Sequence, residues 1–176
     1  MNQIELTEYK SIYGDLLIAS YLGMLCMCDW KWRKMRKSID KRITNELNAR
    51  FIESDSEIIN ETIKQLNEYF NKQRTNFELP LLFTGTDFQK NVWKELQNIP
   101  YGVTSTYSEL SIKMGNIKAI RAIAAANGAN AISIIVPCHR IIGSNGDLVG
   151  YAGGISVKKK LLDLENVEHR NQDELF

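Results

Sequence analysis

The chain has 176 residues and a mass of 20.1 kDa, with 44% apolar residues, 24% charged residues and three prolines, a balance that excludes disorder and a fibrous repeat and suits one ordinary domain or two small ones. Lys+Arg 22 against Asp+Glu 21 leaves a net charge of +1, which argues against a protein that holds nucleic acid by bulk charge. Three cysteines, Cys26, Cys28 and Cys138, no secretory signal and no apolar run near the ~18 residues of a membrane span predict a reduced, cytosolic protein without a disulfide framework.

In chain order, Tyr13–Ser20 and Leu22–Asp29 are β-rich runs around a short turn at Tyr21–Gly23 and predict an antiparallel hairpin. Trp30–Arg42, dense in lysine and arginine with two tryptophans, reads as a solvated strand end or loop that could touch phosphates. From Glu57 to Lys72, Ile59, Ile63, Leu66 and Phe70 recur at helical spacing, with Ser54 or Ser56 as N-cap. Asn76–Thr86 holds the proline and glycine of a connection.

In the second half, Phe88, Val92, Trp93 and Leu96 share one face of a helix that must stop by Pro100. Thr106-Tyr107-Ser108-Glu109 has capping-box form and starts a helix that runs through Met114. Gly115-Asn116 closes it, and Asn116 caps the next helix, to about Ala126, so the pair is a helix-turn-helix candidate. That second helix has a core face of Ile117, Ile120, Ile123 and Ala124. Its opposite face is Lys118, Arg121, Ala122 and Ala125, basic and otherwise nearly bare. Such a face lets a backbone approach a narrow surface closely with Arg121 protruding, and it equally suits a helix of good propensity with two solvated cations.

Ala131–Val136 is predicted as a buried strand that ends at Pro137, placing Cys138 at a strand terminus beside His139 and Arg140. Cysteine next to histidine is the minimum equipment for an activated thiolate. Side chains of sequence neighbours do not usually touch, so His139 is expected to act on Cys138 through a bridging water. Gly143, Gly146, Gly150, Gly153 and Gly154 then permit close approach to a flat ligand, or form two tight turns. A terminal helix, Ser156 to about Glu165, has Val157, Leu161 and Leu164 on its core face. Glu165 sits at its C-terminal end, where the macrodipole disfavours a carboxylate, so a role in orienting an imidazole suggests itself.

Pro137-Cys138-His139-Arg140, Gly150-Tyr151-Ala152-Gly153-Gly154 and Lys158…Leu161-Leu162…Glu165 resemble the O6-alkylguanine-DNA alkyltransferases, as do Phe88-Gln89…Val92-Trp93, Ile99-Pro100-Tyr101-Gly102 and Arg121-Ala122. The resemblance implies an α+β fold: a small ribonuclease H-like α/β domain over residues 1–80 and a helical, winged-helix-like DNA-binding domain over 81–176. It implies a monomer that repairs duplex DNA by a single, irreversible alkyl transfer from guanine O6, and possibly thymine O4, to Cys138, without a cofactor. His139 matches the water-linked base, Glu165 the carboxylate that orients it, Asn130 the brace of the turn and Tyr107 a donor to the guanine ring. Arg121 matches the finger that replaces a flipped base, with Lys118, Ala122, Ala125, Thr106 and Arg140 on the DNA surface. Tyr151, Ala152, Gly153 and Ile141 would line the base pocket.

Two departures from the family pattern stand out. Ala152 replaces a serine of some members, so the backbone N–H alone would meet O6 there. Cys26-x-Cys28, with no histidine nearby, does not support the structural zinc of others. The alternatives are a non-reactive module that flags alkylated bases, which the presence of Cys138 disfavours, and a Cys-His hydrolase, which would turn over repeatedly. Charge is unevenly spread: residues 100–160 carry seven Lys/Arg against Glu109 and Asp147, while 161–176 are acidic. DNA attraction is therefore expected on one face, with modest affinity and a shallow salt slope.

Overall fold

The computed structural model describes residues 1–167, so Glu168, Asp173 and Glu174 of the acidic end lie outside the described residues. The first half is built on a four-stranded sheet in the order β3-β2-β1-β4. β1 (Asn2–Ser11), β2 (Gly14–Tyr21) and β3 (Met24–Trp30) run antiparallel, and β4 (Ala49–Glu53) returns parallel to β1. The expected hairpin is β2–β3. Leu22 and Gly23 both take positive φ, 49° and 76°, as a type I′ turn requires. β1 escapes a reading by alternation because Ile4 and Leu6 face one side of the sheet and Tyr9 the other.

The basic run departs from its expectation. Trp30 ends β3, and after a short turn α1 (Arg36–Leu47) forms the crossover to β4. It is a helix because Ile39, Ile43 and Leu47 recur every four residues and cover one face of the sheet, against Ile4, Ala19, Cys26, Met27 and Ala49. The other face takes α2 (Glu57–Phe70), whose N-cap Ser56 accepts from the Ile59 amide at 3.2 Å. There Ile59, Leu66, Tyr69 and Phe70 meet Leu16, Ile18, Leu25 and Cys28. Cys26 and Cys28 thus face opposite layers.

β3 is an edge strand, yet Leu25 to Trp30 are all buried. Its free edge is covered by the rest of the chain: Leu25 pairs with the Pro80 carbonyl (2.8 Å) and the Leu82 amide (2.8 Å), and Cys28 with the Ala131 carbonyl (2.9 Å) and the Ser133 amide (2.7 Å). An edge left open would template foreign strands; here it joins the two halves.

The second half is helical: α3 (Asp87–Leu96), α4 (Tyr107–Lys113), α5 (Ile120–Gly128) and α6 (Ile155–Leu164), with a parallel two-stranded sheet of β5 (Ser105–Thr106) and β6 (Ile141–Ile142). Thr106 forms the expected capping box with Glu109, and Thr86 forms another with Gln89. Val92, Trp93 and Leu96 are buried as expected, whereas Phe88 is exposed. Asn116 caps through Lys118 N at 3.2 Å, but a 3-10 turn at Ile117–Ala119 precedes α5. That turn advances about 120° per residue, not 100°, and shifts the helical phase. Ile117 and Ile120, expected in the core, are consequently exposed, and α5 packs through Ile123, Ala126 and Asn127. Among the described residues no helix is long and apolar enough to cross a membrane.

Candidate active site

Residues 131–136 are not the expected strand. Ile132 bridges to Cys28, but the chain then turns, with Ile134 in the left-handed region at φ 71°. That conformation is strained for a β-branched residue. The Asn130 side chain over-determines it: its Nδ2 donates to the carbonyls of Val136 (3.0 Å) and Ile132 (3.3 Å), and its Oδ1 accepts from the Ile132 amide (2.9 Å). Side-chain bonds have replaced a ladder. Cys138 therefore opens a 3-10 turn, Cys138–Arg140, instead of ending a strand, and is 4% exposed.

His139 is wholly buried, with Nε2 2.8 Å from Glu165 Oε1. A carboxylate only accepts, so Nε2 carries the proton. Burial lowers the imidazole's affinity for a second proton, against the opposing pull of Glu165, so the ring is neutral and Nδ1 holds a free lone pair. Nδ1 is buried and has no protein hydrogen-bond partner among the described residues. Glu165, at the C-cap of α6, also accepts from Arg140 Nε (2.9 Å) and Nη2 (2.9 Å), Tyr69 Oη (2.6 Å) and the Gly102 amide (3.3 Å). Burial works to raise this carboxyl, but the bonds and charges of His139 and Arg140 outweigh it and hold it well below the usual range. Its adverse place at a helix C-terminus is thereby compensated.

Lys158 is fully buried as well. Its Nζ donates to the carbonyls of Ile141, Val149 (2.7 Å) and Gly150 (3.5 Å), which ties the strand after Arg140 to the glycine-rich loop. Burial lowers it to about 8, against the opposing influence of Cys138. The Cys138 thiol is itself pushed up by burial, partly offset by the Asn130 side chain and by Lys158. The sequence carries a signal for this lysine: it lies three and four residues before Leu161 and Leu162, on the apolar face of α6.

Cys138 lines a cavity of about 180 Å³ whose other walls include Tyr107, Asn127, Tyr151 and the loop residues Gly150 and Ala152. Larger clefts of about 380 Å³ beside Thr106 and Gly143, and beside Pro100 and Ile112, hold neither cysteine nor histidine among the described residues. The Tyr107 hydroxyl accepts from Asn127 Nδ2 at 3.4 Å, which leaves its own proton to donate. Burial raises that phenol, so it stays protonated. Two expected pocket residues are elsewhere. Ile141 is fully buried in β6 against Ser105, and Gly153 packs on Trp30.

Lys118, Arg121, Ala122 and Ala125 are all exposed, the last three on α5 and Lys118 in the 3-10 turn before it. Thr106 is half-buried, and its hydroxyl caps α4. Arg140 is a correction. Expected on the DNA surface, it is buried, because its guanidinium is consumed by Glu165 and the Ile99 carbonyl (2.6 Å). With Lys158 also inside, two of the seven cations of residues 100–160 do not contribute to a surface field.

Sequence reading also missed the first half's part in the site. Arg33 pairs with the fully buried Asp29 (3.0 Å) and donates to the carbonyls of Asn130 (3.0 Å) and Gly128 (2.5 Å), at the C-terminal end of α5. Asp29 in turn accepts from Ser133 Oγ at 3.2 Å, and Arg42 donates to the Ala129 carbonyl at 3.0 Å. Guanidinium groups thus neutralise the carbonyl end of α5.

Residues 5–83 match the family model for the ribonuclease-like domain of 6-O-methylguanine DNA methyltransferase, and residues 87–167 that for its DNA binding domain. The methylated-DNA–protein-cysteine methyltransferase of Methanosarcina acetivorans is 48% identical over 158 residues, 89% of this chain and 95% of that one. The crystal structure of Mycobacterium tuberculosis O6-methylguanine methyltransferase superposes with a TM-score of 0.77 at 37% identity, covering 92% of each chain. The structure of Mycobacterium tuberculosis OGT in complex with DNA gives 0.76 at 37% identity, covering 93% of this chain and 92% of that one.

Proposed function

The chain belongs to the 6-O-methylguanine DNA methyltransferase family, and from that membership we propose that it repairs duplex DNA by moving the alkyl group of O6-alkylguanine, once, onto Cys138. The observation that carries the reading is a buried thiol lining a small cavity and followed in the chain by a buried histidine whose Nε2–H is pinned by Glu165 and whose Nδ1 has no protein partner among the described residues. Burial keeps Cys138 a thiol until a base accepts its proton. Nδ1 of His139 takes that proton through a bridging water, the imidazolium being stabilised by Glu165. The thiolate attacks the alkyl carbon, the S–C bond forms as the C–O6 bond breaks, and the electron pair passes to the guanine ring. The Tyr107 hydroxyl donates to the ring as that charge develops. A thioether has no good leaving group, so each molecule reacts once and needs no cofactor.

The target base must leave the stack, at a cost of a few kcal/mol. In this reading α5 lies in the minor groove, where Ala122 and Ala125 allow close approach, Lys118 meets phosphate, and Arg121 fills the space of the flipped nucleotide. Residues 81–176 carry both surface and site, and residues 1–80 hold the turn at 128–133 in place, as the Arg33 and Cys28 contacts support. The protein acts as a monomer in the reducing interior of the cell.

The test is stoichiometry. Incubated with a duplex containing O6-methylguanine and weighed intact, the protein gains one methyl group, on the peptide that holds Cys138. Repeated turnover would instead mark a Cys-His hydrolase, and an unmodified protein a binding module.

A further inference from the structure

The wall of the cavity opposite α5 is a loop without regular secondary structure. Lys158 holds its start through the Val149 and Gly150 carbonyls, and α6 takes over at Ile155. Between these anchors Tyr151 lines the cavity beside Cys138, its ring edge-on to His139 with centroids 6.5 Å apart. The opposite side of this stretch rests on Trp30, the last residue of β3, which is 4% exposed. Trp30 Nε1 donates to the Tyr151 hydroxyl at 3.1 Å, and the two rings meet edge-on at 6.1 Å.

Two glycines make room for the indole. A Cβ on Gly153 would stand 2.7 Å from Trp30 Cε2, and one on Gly14 3.3 Å from its Cζ3. The indole is thus wedged between the β1–β2 turn and the loop, and its one polar atom is spent on a phenol that lines the nucleophile's cavity. Buried indole N–H groups need a partner, but nothing in packing alone requires that partner to be a cavity wall.

We propose that Trp30 is a positioning residue for alkyl transfer: it holds Tyr151 at the depth in the cavity where the flipped base must seat. The inference rests on the alkyl-transfer reading and adds that the first half sets the shape of the base site. Loss of the Trp30–Tyr151 bond lets the loop relax outward, which lowers the fraction of encounters in which the base is aligned with Cys138. Docking of α5 on DNA is untouched.

The experiment compares single-turnover methylation of Cys138 by an O6-methylguanine duplex in the wild type, Trp30→Phe, Tyr151→Phe and the double variant. Trp30→Phe is expected to slow transfer about fivefold, the worth of one hydrogen bond, with the duplex Kd within about twofold of wild type. Because both substitutions remove the same bond, the double variant is no slower than the slower single variant. A wild-type rate for Trp30→Phe, or losses that multiply in the double variant, overturns the positioning role while the functional reading stands. A wild type that is never methylated overturns both. Should Trp30→Phe fold poorly, the indole N–H resonances of Trp30, Trp32 and Trp93 are compared between wild type and Tyr151→Phe. The Trp30 signal alone moves, and an unmoved signal overturns the proposal.

Discussion

Between α1 and the sheet, the first half buries Ile4, Ala19, Cys26, Met27, Ile39 and Ile43; around Cys138, the second half buries His139, Arg140, Lys158 and Glu165. The first interior is apolar and lies between regular elements whose backbone groups satisfy each other. The second surrounds residues 129–142, a segment of turns that must find its hydrogen bonds from side chains. The difference teaches that the charged interior specifies one conformation, at the expense of tolerance to change. An apolar layer accepts another side chain of similar volume, whereas a buried ion pair that loses one partner strands the other.

The largest expected effect separates chemistry from both interiors. Cys138→Ala is expected to abolish methyl transfer, read by intact mass, while duplex affinity stays within about twofold. Joint loss of both would show that the site and the α5 surface are not separable. Next, Glu165→Gln leaves the Arg140 guanidinium buried without its carboxylate and is expected to cost ~3–5 kcal/mol. Ile43→Leu in the apolar layer should cost less than ~1.5 kcal/mol. Urea titration of both variants measures the contrast, and equal costs would break it.

Arg121→Ala concerns the surface and not an interior, so melting should barely change while transfer from duplex slows about tenfold, an effect of ~1.4 kcal/mol. Single-stranded substrate, which needs no base flipping, should react almost as before. Equal losses on the two substrates would remove the finger role.

The last effect is a pH dependence. Burial sets the folded His139 below the ordinary histidine value near 6.5, so below that pH the unfolded chain binds more protons than the folded one. Stability must then fall as pH falls from about 7 to 5, by at most ~1.4 kcal/mol per pH unit from this residue. His139→Gln should show a flatter profile over that window. An identical slope in the two proteins would mean that the imidazole is not held neutral.

Local signals were the legible ones. The turn at Tyr21–Gly23, an N-cap of α2 at Ser54 or Ser56 and the Thr106 capping box depend on residues within one turn of chain and were readable there, with Ser56 the cap that forms. The apolar repeat of α1 was obscured by the lysines and arginines interleaved with it, and α5 lost its expected phase to a 3-10 turn. Ala131–Val136 has β-branched composition, but Asn130 supplies the partners that a strand would have needed.

The sequence by itself determined the adjacent pair Cys138-His139, the two short helices that follow Thr106, and the family. These rest on residue identity and near-neighbour spacing, which folding does not alter. Only the tertiary structure decided which charges are spent inside. Arg140 turns from the surface to Glu165, 25 residues away, and Lys158 to the Ile141 carbonyl, 17 residues away. It also brought Trp30 against Tyr151, 121 residues away. A charge costs far less in water than in an unpartnered interior, so whether a cation faces solvent depends on partners that only the folded chain brings within reach. The net charge of +1 therefore says less about DNA than the exposed Lys118 and Arg121 do.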